Sequence, residues 1–243
     1  MSAAASSRQP VLDRIRAATR NAGTSVEAAS GAWSAIPRGY VRRGALTEES
    51  RIALMVQRLR EYDAEVAECA PDALLATIAA QLSSSGRHRF VAPAGLPQEW
   101  LAAVVEWKLD HNLGIAEIEQ AEGVVTSCFC GVAESGTIVL HHSAAEGRRV
   151  LSLLPDWHLC ILHASQVVET LPEYFSRCAR APGLVTWISG PSATADIEMT
   201  RIKGVHGPRF LHVILVRDQG GGQTSTGEPA NRGVKPDRQG DIA

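Results

Sequence analysis

The sequence has no apolar run of the roughly 18–20 residues that a bilayer-spanning helix needs. Its longest clear stretch, Phe210 to Val216, is interrupted by His212. Nor has it an excess of charge of one sign: 24 Lys+Arg stand against 26 Asp+Glu in 243 residues, a formal charge of −2. No broad positive field is therefore present to hold nucleic acid or acidic lipid. The first ten residues lack the apolar core of a secretory signal, so a cytoplasmic location is expected. Cysteines are few and odd in number, Cys69, Cys128, Cys130, Cys160 and Cys178, unlike a secreted disulfide framework. They show neither the close-spaced run of an iron–sulfur site nor the paired CxxC of structural zinc. Cys128-Phe129-Cys130 is the single close pair; on a strand both thiols would face one side, and they read as two small buried hydrophobes. Metal-binding His spacings, a dinucleotide Gly-rich fingerprint, a P-loop and a nucleophile elbow are all missing. No metal site is expected.

What is present is an ordinary soluble composition, 45% apolar and 21% charged, with length for one large domain or two small ones. Residues 1–10 are Ala/Ser-rich and expected to be flexible. Residues 218–243 carry Gly220-Gly221-Gly222 and no Leu, Phe, Trp or Tyr; such a segment buries too little apolar surface to offset its ordering entropy, and a disordered tail is expected. The folded body is then 11–217, with a helical N-terminal part.

Within that body a short helix is predicted over about 10–22, followed by a link through Gly31, Pro37 and Gly39. Thr47 is placed to cap the next helix, whose Ile52, Met55, Val56 and Leu59 fall on one face. Leu74, Leu75, Ile78 and Leu82 repeat that spacing after Pro71, and Trp100, Val104 and Trp107 do so after Pro97. Strands are predicted over 64–69, 87–92, 124–132, 137–141, 159–162, 185–189 and 210–216. Most of the later runs are nearly continuous in Val, Ile and Leu, the pattern of strands buried on both faces. Helices alternating with such strands predict an α/β fold with a largely parallel sheet flanked by helices. In such sheets functional residues gather beyond the carboxyl ends of the strands.

Three segments have the residue types for chemistry. Ala133-Glu134-Ser135-Gly136-Thr137 joins two apparent strands; Gly136 permits a tight turn, the Ser135 and Thr137 hydroxyls with backbone amides can face an anion, and Glu134 offers a carboxylate for nucleophilic or base chemistry. Ser189-Gly190-Pro191-Ser192-Ala193-Thr194 follows a hydrophobic run and leads to Asp196 and Glu198. There Gly190 with Ser192 or Thr194 would open a helix N-terminus to a phosphate or carboxylate, while Asp196 and Glu198 equally suit a first helical turn electrostatically. Arg201 to Arg209 sets His206 between Gly204 and Gly207; Arg201, Lys203 or Arg209 could neutralise the anion, and His206 could donate a hydrogen bond or a proton. Each segment also has a plain reading as a turn.

Taken together, Ala133 to Leu140, Leu154-Pro155-Asp156-x-His158, Ile188 to Glu198 and Gly204 to Arg209 resemble the LUD-domain family, and within it the lactate-utilization C branch, over about residues 8–217. Ser135 stands where the family commonly has Thr and keeps the hydroxyl. The resemblance implies a Rossmann-like sheet similar to the sugar-phosphate isomerase, glucosamine-phosphate deaminase and CoA-transferase group. It also implies a part in oxidising L-lactate to pyruvate beside iron–sulfur partner subunits, with no cluster in this chain and a small anionic metabolite as ligand. Two alternatives stay open: a stand-alone enzyme on a phosphorylated or CoA-linked small molecule using Glu134, and a non-catalytic scaffold or regulator. A mechanism for these readings needs Glu134, Thr194 and His206 to converge on one pocket able to hold a negatively charged metabolite; without that, the lactate reading rests on family likeness alone.

Overall fold

The computed structural model describes residues 8–18, 26–178, 183–194, 202–203 and 207–217. The expected tail, 218–243, and residues 1–7 lie outside the described residues. Two units divide the chain at Val41. The first contains α1 (Arg8–Ala18) and α2 (Val26–Ala35). The stretch read as a link is thus partly helical: Val26 to Ala35 contains four alanines and no proline, and Pro37 falls just past the end, where a helix tolerates it. Arg38 follows, with its guanidinium 4.9 Å from the Trp33 ring centre and bonded to the Trp33 and Ile36 carbonyls.

The second unit holds α3 (Glu48–Glu61), β1 (Glu65–Cys69), α4 (Leu74–Ser84), β2 (Arg89–Pro93), β3 (Glu106–Asp110), α5 (Ile115–Glu119), β4 (Gly123–Thr126), β5 (Cys130–Val132), β6 (Thr137–Leu140), β7 (Trp157–His163), β8 (Val167–Val168), α6 (Leu171–Arg177), β9 (Thr186–Ile188), β10 (Ala193–Thr194), β11 (Ile202–Lys203) and β12 (Phe210–Val216). Thr47 caps α3, its side chain accepting from the Ser50 amide at 3.2 Å. Six strands form one sheet in the order β1-β12-β7-β4-β2-β3. Every pairing in it is parallel.

The sheet is buried on both faces, as the continuous apolar runs predict. Leu159 and Ile161 of β7 and Ile214 and Val216 of β12 pack with Leu74, Ile78 and Leu82 of α4. Their neighbours Cys160, Leu162, Leu211, Val213 and Leu215 pack on the opposite face with Ile52, Met55, Val56 and Leu59 of α3. Over this second face lies a four-stranded sheet, β8-β5-β6-β9, which contributes Ile138, Leu140 and Val167 to the same core. Its strands come from the two crossovers that link β4 to β7 and β7 to β12.

Two sequence expectations change here. The run 124–132 is two strands in different sheets, β4 and β5, so Cys128 joins the core under α3 while Cys130 joins the cluster around Tyr174; the two thiols do not share a face. The Trp100–Val104–Trp107 spacing is not a helix: a short 3₁₀ turn spans Gln98–Leu101 and Trp107 lies in β3. Val104, between them, is fully exposed, so no apolar face continues through it.

Candidate functional site

The hairpin between β5 and β6 fixes the first segment. Ala133–Ser135 form a 3₁₀ turn that ends at Gly136, whose φ of 61° and ψ of 31° are left-handed. Val132 then pairs with Thr137 across the hairpin. A left-handed residue at this point is what closes a short hairpin loop, and glycine adopts it without steric cost. The turn packs so closely on α3 that a β-carbon at Gly136 would sit 2.7 Å from Arg58 Cβ and 2.9 Å from the Arg58 carbonyl carbon. Thr137 is thereby presented at the start of β6, where its hydroxyl meets Ser135 Oγ at 2.7 Å and Ser189 Oγ at 2.7 Å. The hydroxyls of the first two segments form one chain.

The second and third segments also meet. The Ser192 amide donates to the Pro208 carbonyl at 2.8 Å. Between them and the large sheet is a cavity of about 150 Å³ lined by Arg149, Ser152, His158, Thr186 to Ser192, Gly207, Pro208 and Leu211. His158 and Leu211 are paired residues near the amino ends of β7 and β12, so the cavity opens at the amino ends of the central strands. Beyond the carboxyl ends, where an open α/β sheet ordinarily binds ligands, the crossover from β6 to β7 lies across the strands beside a second, more open cavity of about 300 Å³ lined by Pro93, Asp110, His142, Gly147 and Arg148. The Gly95 amide donates to the Ala144 carbonyl at 3.2 Å and the Ser127 amide to the Ala145 carbonyl at 3.1 Å.

Electrostatics distinguish the two ends. At the carboxyl end Arg148 is held by Asp110 through two bonds, Nε to Oδ2 at 2.8 Å and Nη2 to Oδ1 at 2.7 Å, and that arginine holds the Asp110 carboxyl below its ordinary value. The next residue, Arg149, turns into the amino-end cavity. It donates to Ser152 Oγ at 3.1 Å and has no carboxylate partner among the described residues. Burial pushes its pKa down, the mark of a cation that has lost water without gaining a counter-charge. Beside it His158, 1% exposed, bonds Thr126 Oγ1 through Nε2 at 2.8 Å. Burial first, and the Arg149 charge second, push the His158 pKa down to about 4. The ring is therefore neutral at physiological pH.

The rim is tied by further pairs. Arg209 clamps Asp156 from two directions, Nε at 2.5 Å and Nη2 at 3.0 Å, and Arg87 approaches the same carboxylate at 3.5 Å; the Asp156 carboxyl lies below its usual range chiefly because of Arg209. This pair joins the loop before β7 to the loop before β12. His142 bridges from the Gly147 carbonyl, which accepts from Nδ1 at 2.8 Å, to Thr186 Oγ1 on the cavity wall, 2.8 Å from Nε2. His141 instead stacks on Phe129 and meets the Tyr174 hydroxyl at 2.8 Å, so the adjacent histidines serve separate partners.

Of the residues predicted from sequence, Gly190 and Ser192 line the cavity, and Thr137 reaches its edge through Ser189. Ser135 and Gly136 lie one step further out on the hydroxyl chain and the α3 contact. Glu134 is exposed, beside α3 and outside the cavity lining. Arg209 is engaged by Asp156. The backbone of Thr194 pairs with Ile202 in the β10–β11 ribbon, while its side chain, Asp196, Arg201 and His206 lie outside the described residues. Sequence reasoning did not single out Arg149, Ser152 or Thr186. Arg149 and Ser152 lie in the connection before the predicted 159–162 strand and Thr186 inside the predicted 185–189 strand, so residue type does not single them out, and the contrast between Arg148 and Arg149 is set by tertiary pairing. Among the described residues no group of three or more His, Cys, Asp or Glu side chains is placed to hold a metal ion, and no helix is long and apolar enough to cross a membrane.

The chain is similar to known proteins over the span that holds this geometry. The model of the LUD domain matches residues 52–216, a span containing the cavity and all three loops. Lactate utilization protein C of Deinococcus radiodurans is 40% identical over 163 residues, 65% of this chain and 76% of that protein. The uncharacterized protein YkgG of Escherichia coli is 41% identical over 111 residues, 43% of this chain and 48% of that protein. A crystal structure of a DUF162 family protein from Deinococcus radiodurans superposes with a TM-score of 0.59 at 34% identity, covering 71% of this chain and 99% of that one.

Proposed function

The chain belongs to the LUD-domain family, and from that premise we propose that it is a lactate-utilization subunit, taking part in the oxidation of L-lactate to pyruvate together with iron–sulfur partner proteins in the cytoplasm. The observation that carries this reading is its 40% identity to a lactate utilization protein C across three quarters of that protein's length. The family match extends over the loops that line the cavity.

Oxidising lactate to pyruvate breaks the C2–H and O–H bonds and releases two electrons and two protons. The electrons need a carrier, and this chain's cysteines do not fit a cluster. Cys128, Cys130 and Cys160 are buried in apolar cores, and burial raises the thiols of Cys69 and Cys130 above their ordinary values. Thiolates, not thiols, ligate iron. The proposal therefore assigns electron transfer to the iron–sulfur partners and substrate handling to this chain. Purification of the tagged chain from cells grown on L-lactate tests it. Stoichiometric co-elution of iron–sulfur proteins with the brown absorbance of their clusters is expected; elution of the chain alone, free of iron and acid-labile sulfide, would contradict it.

A further inference from the structure

The cavity at the amino ends of β7 and β12 has the composition of a binding site for one small anion. Its cation, Arg149, is held in place by Ser152 and lacks a carboxylate partner among the described residues. A partly desolvated, unpaired guanidinium is costly to keep and becomes favourable once a carboxylate arrives, because the two planar groups match in two parallel hydrogen bonds. Arg148 gives the internal comparison: one residue earlier, the same side chain makes that two-bond contact with Asp110.

The remaining lining sets size and polarity. A space of about 150 Å³ is small beside the roughly 300–1,000 Å³ of common ligand pockets, so it suits a small metabolite. Ile188, Pro191 and Leu211 give it an apolar side, and Ser152, Thr186, Ser189 and Ser192 a side of short hydroxyls. His158 lies against Arg149 with Nε2 committed to Thr126, which leaves Nδ1 for a ligand oxygen. With Nε2 accepting from Thr126, Nδ1–H donates, as a carbonyl oxygen requires; in the other tautomer Nδ1 accepts from a hydroxyl. One guanidinium beside a neutral imidazole suits a single negative charge better than a phosphate dianion.

We propose that this cavity binds a short 2-hydroxy or 2-oxo monocarboxylate, with Arg149 receiving the carboxylate and His158 facing the oxygen on C2. The charge and size of the ligand follow from the cavity; the oxygen on C2 rests on the lactate reading above. Neither Glu134 nor Arg209 takes part in the contact.

Thermal-shift and calorimetric titration of the purified full chain with L-lactate, pyruvate, acetate and inorganic phosphate tests this. Saturable stabilisation by L-lactate or pyruvate is expected, weaker with acetate and absent with phosphate. Arg149→Met should lower affinity at least tenfold while melting no lower than the wild type without ligand, because it removes a partly buried charge that has no carboxylate partner among the described residues. Arg149→Lys should retain weakened binding, and reads the same proposal should Arg149→Met fail to fold. Wild-type affinity in either variant, stabilisation by phosphate alone, or no stabilisation by any of the four would overturn the proposal. The outcome is separable from the lactate reading. Carboxylate binding lost in Arg149→Met, with normal growth on L-lactate after deletion of the gene, keeps the site and removes the pathway. Failure of growth after deletion, restored fully by an Arg149→Met copy, does the reverse.

Discussion

Gly136→Ala is expected to destabilise the protein by about 3 kcal/mol, the sum of a left-handed backbone that alanine adopts at a cost of roughly 1–2 kcal/mol and an overpacking cost of similar size. The second part arises because the new methyl would overlap the backbone of α3, at the Arg58 carbonyl carbon and the Leu59 nitrogen, 2.9 and 3.1 Å away. A rotamer change can move a side-chain end but not a helix backbone, so the turn or the helix must shift. That shift would carry Ser135 and Thr137 with it and break their contact with Ser189. Gly86 is the control: it too has a positive φ, 66°, but nothing within 4 Å of an added β-carbon. Gly86→Ala should therefore show the backbone cost alone. Denaturant midpoints of both variants check this, and equal losses would remove the packing contribution assigned to Gly136.

Acid should weaken the fold well before its carboxylates are protonated. His158 is held at about 4 in the native state against an ordinary 6.5. Between those values the unfolded chain binds the proton and the native state refuses it. The contribution of the neutral ring is thus complete above about pH 6.5 and is lost as pH falls towards 4, to a total of about 3 kcal/mol. His141 and His212 are also lowered by burial and act in the same direction. Asp110, Asp156, Glu122 and Glu173 are held below their ordinary 3.8 or 4.5, so their losses come at lower pH. Unfolding free energy measured from pH 7 to pH 4 should fall markedly less steeply in His158→Gln than in the wild type. Parallel curves would show that His158 is not the buried neutral group described here.

The sheet was legible because its central strands are apolar on both faces. In β7 and β12 alternate residues enter opposite cores, and only a continuous Val/Ile/Leu run satisfies both. The same property hid the break between β4 and β5. Val124 to Val132 has no proline and no charged residue, and two small hydroxyls at Thr126 and Ser127 are too weak a signal to mark Ser127 to Phe129 as the point where the chain leaves one sheet for the other. Trp100, Val104 and Trp107 mimicked a helical stripe because two of the three pack against the α4 core from different elements. At the site, Gly136 and its flanking hydroxyls were readable as a tight polar turn from residue types alone. Arg149 was not: its importance depends on Asp110 choosing Arg148, a contact between residues 38 apart in the chain. The amino-end cavity was not legible either, because it is built by loops that meet only through tertiary pairing, such as the Ser192 amide on the Pro208 carbonyl, which periodicity does not encode.

Growth on L-lactate as sole carbon source, in a strain lacking this gene and every other L-lactate dehydrogenase, tests the proposed role most directly. The expected result is no growth on L-lactate, normal growth on pyruvate, and recovery when the wild-type chain is supplied in trans. Undiminished growth on L-lactate in that strain would contradict a part for this protein in lactate oxidation.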